Sequence, residues 1–284
     1  MDAAQQQALE ALSRQIRRDA LRMVCAAQSG HPGGALSCAD YFAVLYHDVL
    51  QQCKATPWGY RPQDDAFFLS NGHVSAAWYS ALARSGYFPV TELATFRQMG
   101  ARLQGHPTPT HGLPGILVAS GSLGQGLSVA AGVAYAKLLQ NVSSFVYVLM
   151  GDGELQEGQN WEAAMFASAK HLDNLIAAVD YNGVQIDGQV DSVLPLGDLQ
   201  AKWKAFGWDT LVVSKPSVVS IYDALQAAQR LRGNGSPTVL LMKNTMGAGV
   251  DFMEGQAAWH GKAPSEEQLQ QALAQIEPTP LGDF

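Results

Sequence analysis

Residues 148–188 read VLMGDGELQEGQNWEAAMFASAKHLDNLIAAVDYNGVQIDG. An apolar run over 145–150 stops abruptly at Gly151-Asp152-Gly153. A helix-like segment follows, and a second apolar run over 175–179 stops at Asp180-Tyr181-Asn182-Gly183. Two strands joined by a helical crossover pair in parallel, so their ends lie at the same edge of the sheet. Ligands of open α/β sheets bind at that edge. Asp152 and Asn182 are thereby delivered side by side. Small oxygen ligands beside glycines suit a hard divalent cation that holds phosphate oxygens. Taken singly, each is an ordinary turn residue; two strand-end turns flanking one crossover carry the reading.

The rest of the chain repeats the alternation. Leu9, Leu12, Ile16, Ala20, Met23, Val24 and Ala27 recur at helical spacing, which predicts an amphipathic helix over 5–27. It is expected to stop at Ser29-Gly30-His31-Pro32-Gly33-Gly34, where glycine and proline end helices. Further helices are expected over about 38–50, 75–85, 125–139, 199–206 and 221–232, and strands over 67–70, 145–150, 175–179, 210–213 and 238–242. Residues 100–126 are rich in Gly, Pro, Thr and His, and so long an irregular loop in a compact domain is usually functional. The fold class is α/β, a mainly parallel sheet flanked by helices on both faces. Residues 1–275 are read as one domain and 276–284 as a C-terminal tail.

Composition narrows the partners. A net charge of −7 disfavours nucleic acid and anionic membranes, which attract basic proteins. An anionic ligand must then be held by local groups. Cys25, Cys38 and Cys53 form no CxxC pair, and their odd number does not suggest a disulfide framework. The N-terminus lacks an apolar signal core and no run reaches the length of a membrane span, so a cytoplasmic location is expected.

Three constellations could carry chemistry. Gly121-Ser122-Leu123-Gly124-Gln125-Gly126 opens a helix, where backbone N–H groups can approach an anion; alone it reads equally well as close helix packing. Four histidines sit beside Gly or Pro in loops: His31, His73, His106 and His260. A lone loop histidine is usually a surface residue, but four in near-identical settings suggest a cluster able to bond hydroxyls or phosphate. Zinc is a rival reading that no HxxxH or CxxC spacing supports. His47, His111 and His171 are read as structural. Glu157 and Glu162 either complement a helix dipole on the surface or, buried together, share a proton.

The motifs SGHPG, LSNGH, GHP, SGSLGQG, GDGELQEG, YNGVQIDG and WHGKAP together resemble the N-terminal half of the transketolase family, in its order and near its spacing. The resemblance runs from about residue 5 to 273. It implies a thiamine diphosphate-binding fold in which Asp152, Asn182 and the backbone carbonyl of Val184 ligate Mg²⁺ or Ca²⁺. By the same resemblance Gly121, Leu123, Gly153, His73 and His260 hold thiamine diphosphate, with Ser122, Glu157 and Asn182 in the same cofactor-binding set. Ile186 packs against the cofactor's rings. His31, His106 and His260 line the substrate channel and serve as the catalytic group. Glu157 and Glu162 match acidic residues at the family's subunit interface.

The implied activity is transfer of a two-carbon ketol unit from a ketose, phosphorylated or related, to an aldose. Ser122 departs from the family, many of whose members have Pro in that loop. A larger departure is length. The half that carries the glutamate facing the aminopyrimidine and the sugar-phosphate ligands is missing, and the chain end is read as a natural terminus. The expected partner is a C-terminal transketolase subunit, the pyrimidine-binding half, in an α₂β₂ assembly. Alternatives are a subunit like 1-deoxyxylulose phosphate synthase or 2-oxo acid dehydrogenase, or a non-catalytic partner.

Overall fold

The computed structural model describes residues 1–52 and 60–284; Cys53 lies outside them. Helix α1 (Ala3–Ala27) begins at Asp2, whose carboxylate accepts the Gln5 N–H at 2.8 Å, an N-cap that satisfies an otherwise free donor. Then come α2 (Pro32–Ser37), α3 (Ala39–Val44), β1 (Ala66–Leu69), α4 (Ser75–Arg84) and α5 (Gly126–Leu139). The crossover β2 (Val146–Gly151), α6 (Gly158–Ala169), β3 (Leu175–Asp180) follows. A two-residue-per-strand hairpin, β4 (Val184–Gln185) and β5 (Gly188–Gln189), leads to α7 (Val190–Val193) and α8 (Leu199–Ala205). The chain closes with β6 (Asp209–Val213), α9 (Val218–Arg230), β7 (Thr238–Met242) and α10 (Glu266–Gln275).

The five long strands pair in parallel in the order β1-β2-β3-β7-β6. Side chains alternate across the sheet. Phe67, Leu69, Tyr147, Leu149, Ile176 and Ala178 meet α1, α3, α4 and α9 on one face. Val146, Val148, Met150, Leu175, Ala177 and Val179 meet α5, α6 and α8 on the other. Both faces are apolar, so the strands read as near-continuous hydrophobic runs. Gly151 pairs with Asp180 in register, which sets the two loops after β2 and β3 at one level.

Two expectations change. The SGHPGG loop does not simply end a helix. It starts α2, with Pro32 in the first turn where its missing N–H costs nothing. Its glycines allow close packing, because a Cβ at Gly33 would lie 2.8 Å from Met246 and one at Gly34 2.8 Å from Val74. The helix expected over 38–50 is α3 followed by a wider π-type turn, Leu45–Val49. The tail is tied down: Asp283 pairs with Arg18 at 2.7 Å, and Arg18 Nη1 donates to the Ile276 carbonyl at 2.7 Å.

Candidate cofactor site

A cavity of about 230 Å³ opens at the carboxyl ends of β2 and β3. Asp152 lines it and is 2% exposed. One carboxylate oxygen accepts the Gly153 N–H at 2.8 Å, and the other accepts the Gly183 N–H at 2.5 Å. Burial pushes the Asp152 carboxyl up to about 7, the neighbouring Asp180 charge adds to the rise, and the two N–H donors oppose it. Asn182 Oδ1 accepts the Val184 N–H at 2.9 Å, which folds the loop into an Asx turn. The Asn182 amide group donates to Asp180 Oδ2 at 2.8 Å.

Asp180 has no role that sequence patterning assigns, yet it organises the site. Ser37 from α2 donates to it at 2.7 Å and Asn244, just beyond β7, at 2.5 Å. It is buried and its carboxyl is raised by that burial. Glu154 is a second such residue. It is 2% exposed and accepts the Ser70 hydroxyl, the Gly124 N–H at 2.8 Å and the Gly151 N–H at 3.1 Å. Gly126 N–H goes to Ser70 Oγ at 3.0 Å. Two donors of the GSLGQG loop are thus spent on the protein itself. Glu157 and Glu162 are both exposed on the surface of this chain. Adjacency to Gly151 in the GDGEL run is the only local sign of Glu154. Nothing local marks Ser37 or Asn244.

The four loop histidines do cluster. Ring centroids lie 5.4 Å apart for His31–His73, 5.0 Å for His73–His260, 5.7 Å for His31–His260 and 6.2 Å for His31–His106. Burial, joined by the other imidazoles, lowers His31 to about 4 and holds His73 well below its ordinary value. Burial lowers His260 and His106 as well. The lowering favours the neutral ring, which offers one donor and one acceptor. Nδ1 of His31 and of His260 is buried without a partner among the described residues. His73 and His260 line the cavity directly, and the exposed His106 packs against Gly121, where a Cβ would come within 2.8 Å of the ring.

At the rim, Ile186 on the hairpin turn is 65% exposed and Leu123 39%. Large exposed apolar side chains beside a cavity mark a binding surface. Ser122 is exposed in the same loop and Gly153 lines the floor. Among the described residues, no three His, Cys, Asp or Glu side chains converge as a metal cage. The oxygen set of Asp152, Asn182 and Val184 fits a hard cation whose remaining ligands come from a phosphate and water. No helix among the described residues is long and apolar enough to cross a membrane.

Comparison with known proteins agrees with this geometry. The sequence profile described as "Transketolase, thiamine diphosphate binding domain" matches residues 8–280. The fold is that of a thiamine diphosphate-binding domain. The chain belongs to the transketolase family, and it is an N-terminal transketolase subunit that acts as part of a heteromer. It is 39% identical to the 6-deoxy-6-sulfo-D-fructose transketolase subunit SqwG of Clostridium sp. (strain MSTE9), over 92% of this chain and 94% of that one. It is 36% identical to an apulose-4-phosphate transketolase subunit of Phocaeicola vulgatus, over 96% and 95%. The solved transketolase of Campylobacter jejuni superposes with a TM-score of 0.89 at 33% identity, covering all of this chain and 44% of that one. The chain therefore spans under half the length of the solved transketolases it matches. Synthase-like and dehydrogenase-like readings are not favoured by these matches.

Proposed function

We propose that this subunit grips the diphosphate of thiamine diphosphate through a divalent cation and, with a C-terminal-half subunit, transfers a ketol unit from a ketose to an aldose. The observation that carries the reading is the convergence of Asp152, Asn182, His73 and His260 on one cavity, with His31 beside both imidazoles and His106 beside His31. Asp152, Asn182 and the Val184 carbonyl would hold Mg²⁺ or Ca²⁺. His73, His260, Gly121, Ser122, Leu123 and Gly153 would hold the cofactor, with Ile186 against its rings and Glu157 nearby. Thiamine, when bound, supplies carbanion stabilisation. The protein's part is to orient: His31, His106 and His260 bond sugar hydroxyls, and a polyol then binds better than a deoxygenated analogue.

Residues 1–275 form the diphosphate-binding domain in this reading, and 276–284 a tail. The exposed Glu157 and Glu162 face the partner, most simply in an α₂β₂ complex. Relatives are named for a sulfonated ketose and for a sugar phosphate; we propose an acidic ketose as donor, its acidic end read by the partner. The test compares the purified chain with the chain assembled with a C-terminal-half subunit, assaying ketol transfer with thiamine diphosphate and Mg²⁺. Only the assembly should turn over. Full turnover by the chain alone would sink the two-subunit reading, and an inactive assembly would sink the ketol-transfer reading.

A further inference from the structure

Arg97 stands behind the histidine cluster in an unusual state. Its backbone lies in the left-handed region at φ 58°, costly for a residue with a long side chain. The turn is closed by its N–H donating to the Leu103 carbonyl at 2.8 Å. Its guanidinium reaches two separate loops. Nη1 donates to Ser29 Oγ at 3.0 Å, two residues before His31, and Nη2 donates at 3.5 Å to the carbonyl of Gly105, the residue before His106. Gly105 is packed flat against it, since a Cβ there would lie 2.6 Å from Arg97 Cζ. Phe96, whose ring centroid is 5.5 Å from the guanidinium, also backs Gly30.

Among the described residues Arg97 forms no ion pair, and its Nε is buried without an acceptor. A half-buried cation without a carboxylate partner is expensive, so its retention needs a reason beyond packing. We propose that Arg97 is a positioning residue that clamps the His31 loop to the His106 loop and so sets the spacing of the two imidazoles, whose ring centroids lie 6.2 Å apart. This rests on the reading that those imidazoles bind sugar hydroxyls.

The clamp has an electrostatic side. The Arg97 charge adds to burial in holding His31 and His106 below their ordinary value; for His31 the contribution of His260 is larger. The ionisable groups facing the pair are His73, His260 and Arg97, with Tyr79 behind Arg97. A cation there keeps both imidazoles able to accept as well as donate. Arginine suits the task because its planar fork reaches two acceptors at once, which an ammonium group cannot do with the same geometry.

The experiment uses Arg97→Gln and Arg97→Lys, each measured in two ways. Imidazole titrations by NMR on the full chain should show His31 and His106 rising in R97Q and staying low in R97K. Steady-state kinetics of the assembled enzyme should show KM for the ketose raised about tenfold in R97Q, less in R97K, with kcat nearly constant, the pattern of lost substrate positioning. Wild-type KM and wild-type titrations in R97Q would overturn the clamp, as would a fall in kcat at unchanged KM. If R97Q does not fold, R97K decides by the same readout: raised KM supports the clamp, unchanged KM overturns it. Absence of ketol transfer in the wild-type assembly would count against the functional reading instead, and the NMR titrations would still decide the clamp.

Discussion

Asp152, at the end of β2, accepts the backbone N–H of Gly183, beyond the end of β3, at 2.5 Å. One hydrogen bond thus locks the two loops that provide the oxygen ligands, and it orients the carboxylate before any ligand arrives. Replacing Asp152 with Ala should abolish the Mg²⁺-dependent binding of thiamine diphosphate by the assembled enzyme, a loss of about 100-fold or more in affinity. Calorimetric titration checks this. Wild-type affinity in Asp152→Ala would remove Asp152 from the site.

Acidity should weaken the same site. The Asp152 carboxyl is raised to about 7, first by burial and then by the Asp180 charge. Its folded-state value exceeds its unfolded one, so without ligands its contribution to stability is full below about 4 and is lost as pH rises through 7. Cation binding demands the ionised form and must expel that proton below pH 7. Apparent cation affinity should fall about fivefold between pH 7 and pH 6, with proton release detectable by calorimetry in buffers of different ionisation enthalpy. A flat profile over that range would contradict the raised carboxyl.

Asn244 and Ser37 act through Asp180. Asn244→Ala removes one of the three side-chain donors seen on a buried carboxylate. The expected cost is about 1–3 kcal/mol of stability, and cation affinity should drop about 10-fold to 100-fold because Asp180, the partner of Asn182, is held less firmly. Thermal unfolding with and without Mg²⁺ and thiamine diphosphate separates the two effects. An unchanged ligand-induced rise in Tm would show that Asp180 does not transmit to Asn182.

Glu154 ties the glycine-rich loop to β2. Glu154→Ala strands the Ser70 hydroxyl and the N–H groups of Gly124 and Gly151. Leaving such buried donors unmet costs about 1–3 kcal/mol each. Unfolding by denaturant should reveal a loss of about 3 kcal/mol or more, and hydrogen exchange should quicken at Gly124. Glu157→Ala, at an exposed position, should leave the isolated chain's stability within about 0.5 kcal/mol.

Much of this is legible in the linear chain. The strand over 238–242 has the bounds its periodicity predicts, and the first helix ends at the expected residue 27. Asp152 and Asn182 are identifiable as partners because a strand–helix–strand unit leaves its strand ends on one side, a local and topological rule. The histidines are marked by their Gly and Pro neighbours. The ordered motifs then point to the family.

Other features depend on contacts that no local pattern encodes. Pro32 reads as a stop until Val74 and Met246 pack onto Gly34 and Gly33 and make a helix there favourable. Glu154 and Glu157 are two acids in one motif, and folding alone buries the first and exposes the second. Which residues could bind a metal-held diphosphate is written in the linear order, because composition, period and strand–loop succession are properties of neighbours along the chain. How burial raises the Asp152 carboxyl and lowers the four imidazoles, and which partners Asp180 and Arg97 find, are settled in three dimensions. Burial, charge proximity and hydrogen bonds between distant segments exist only once the chain has closed on itself.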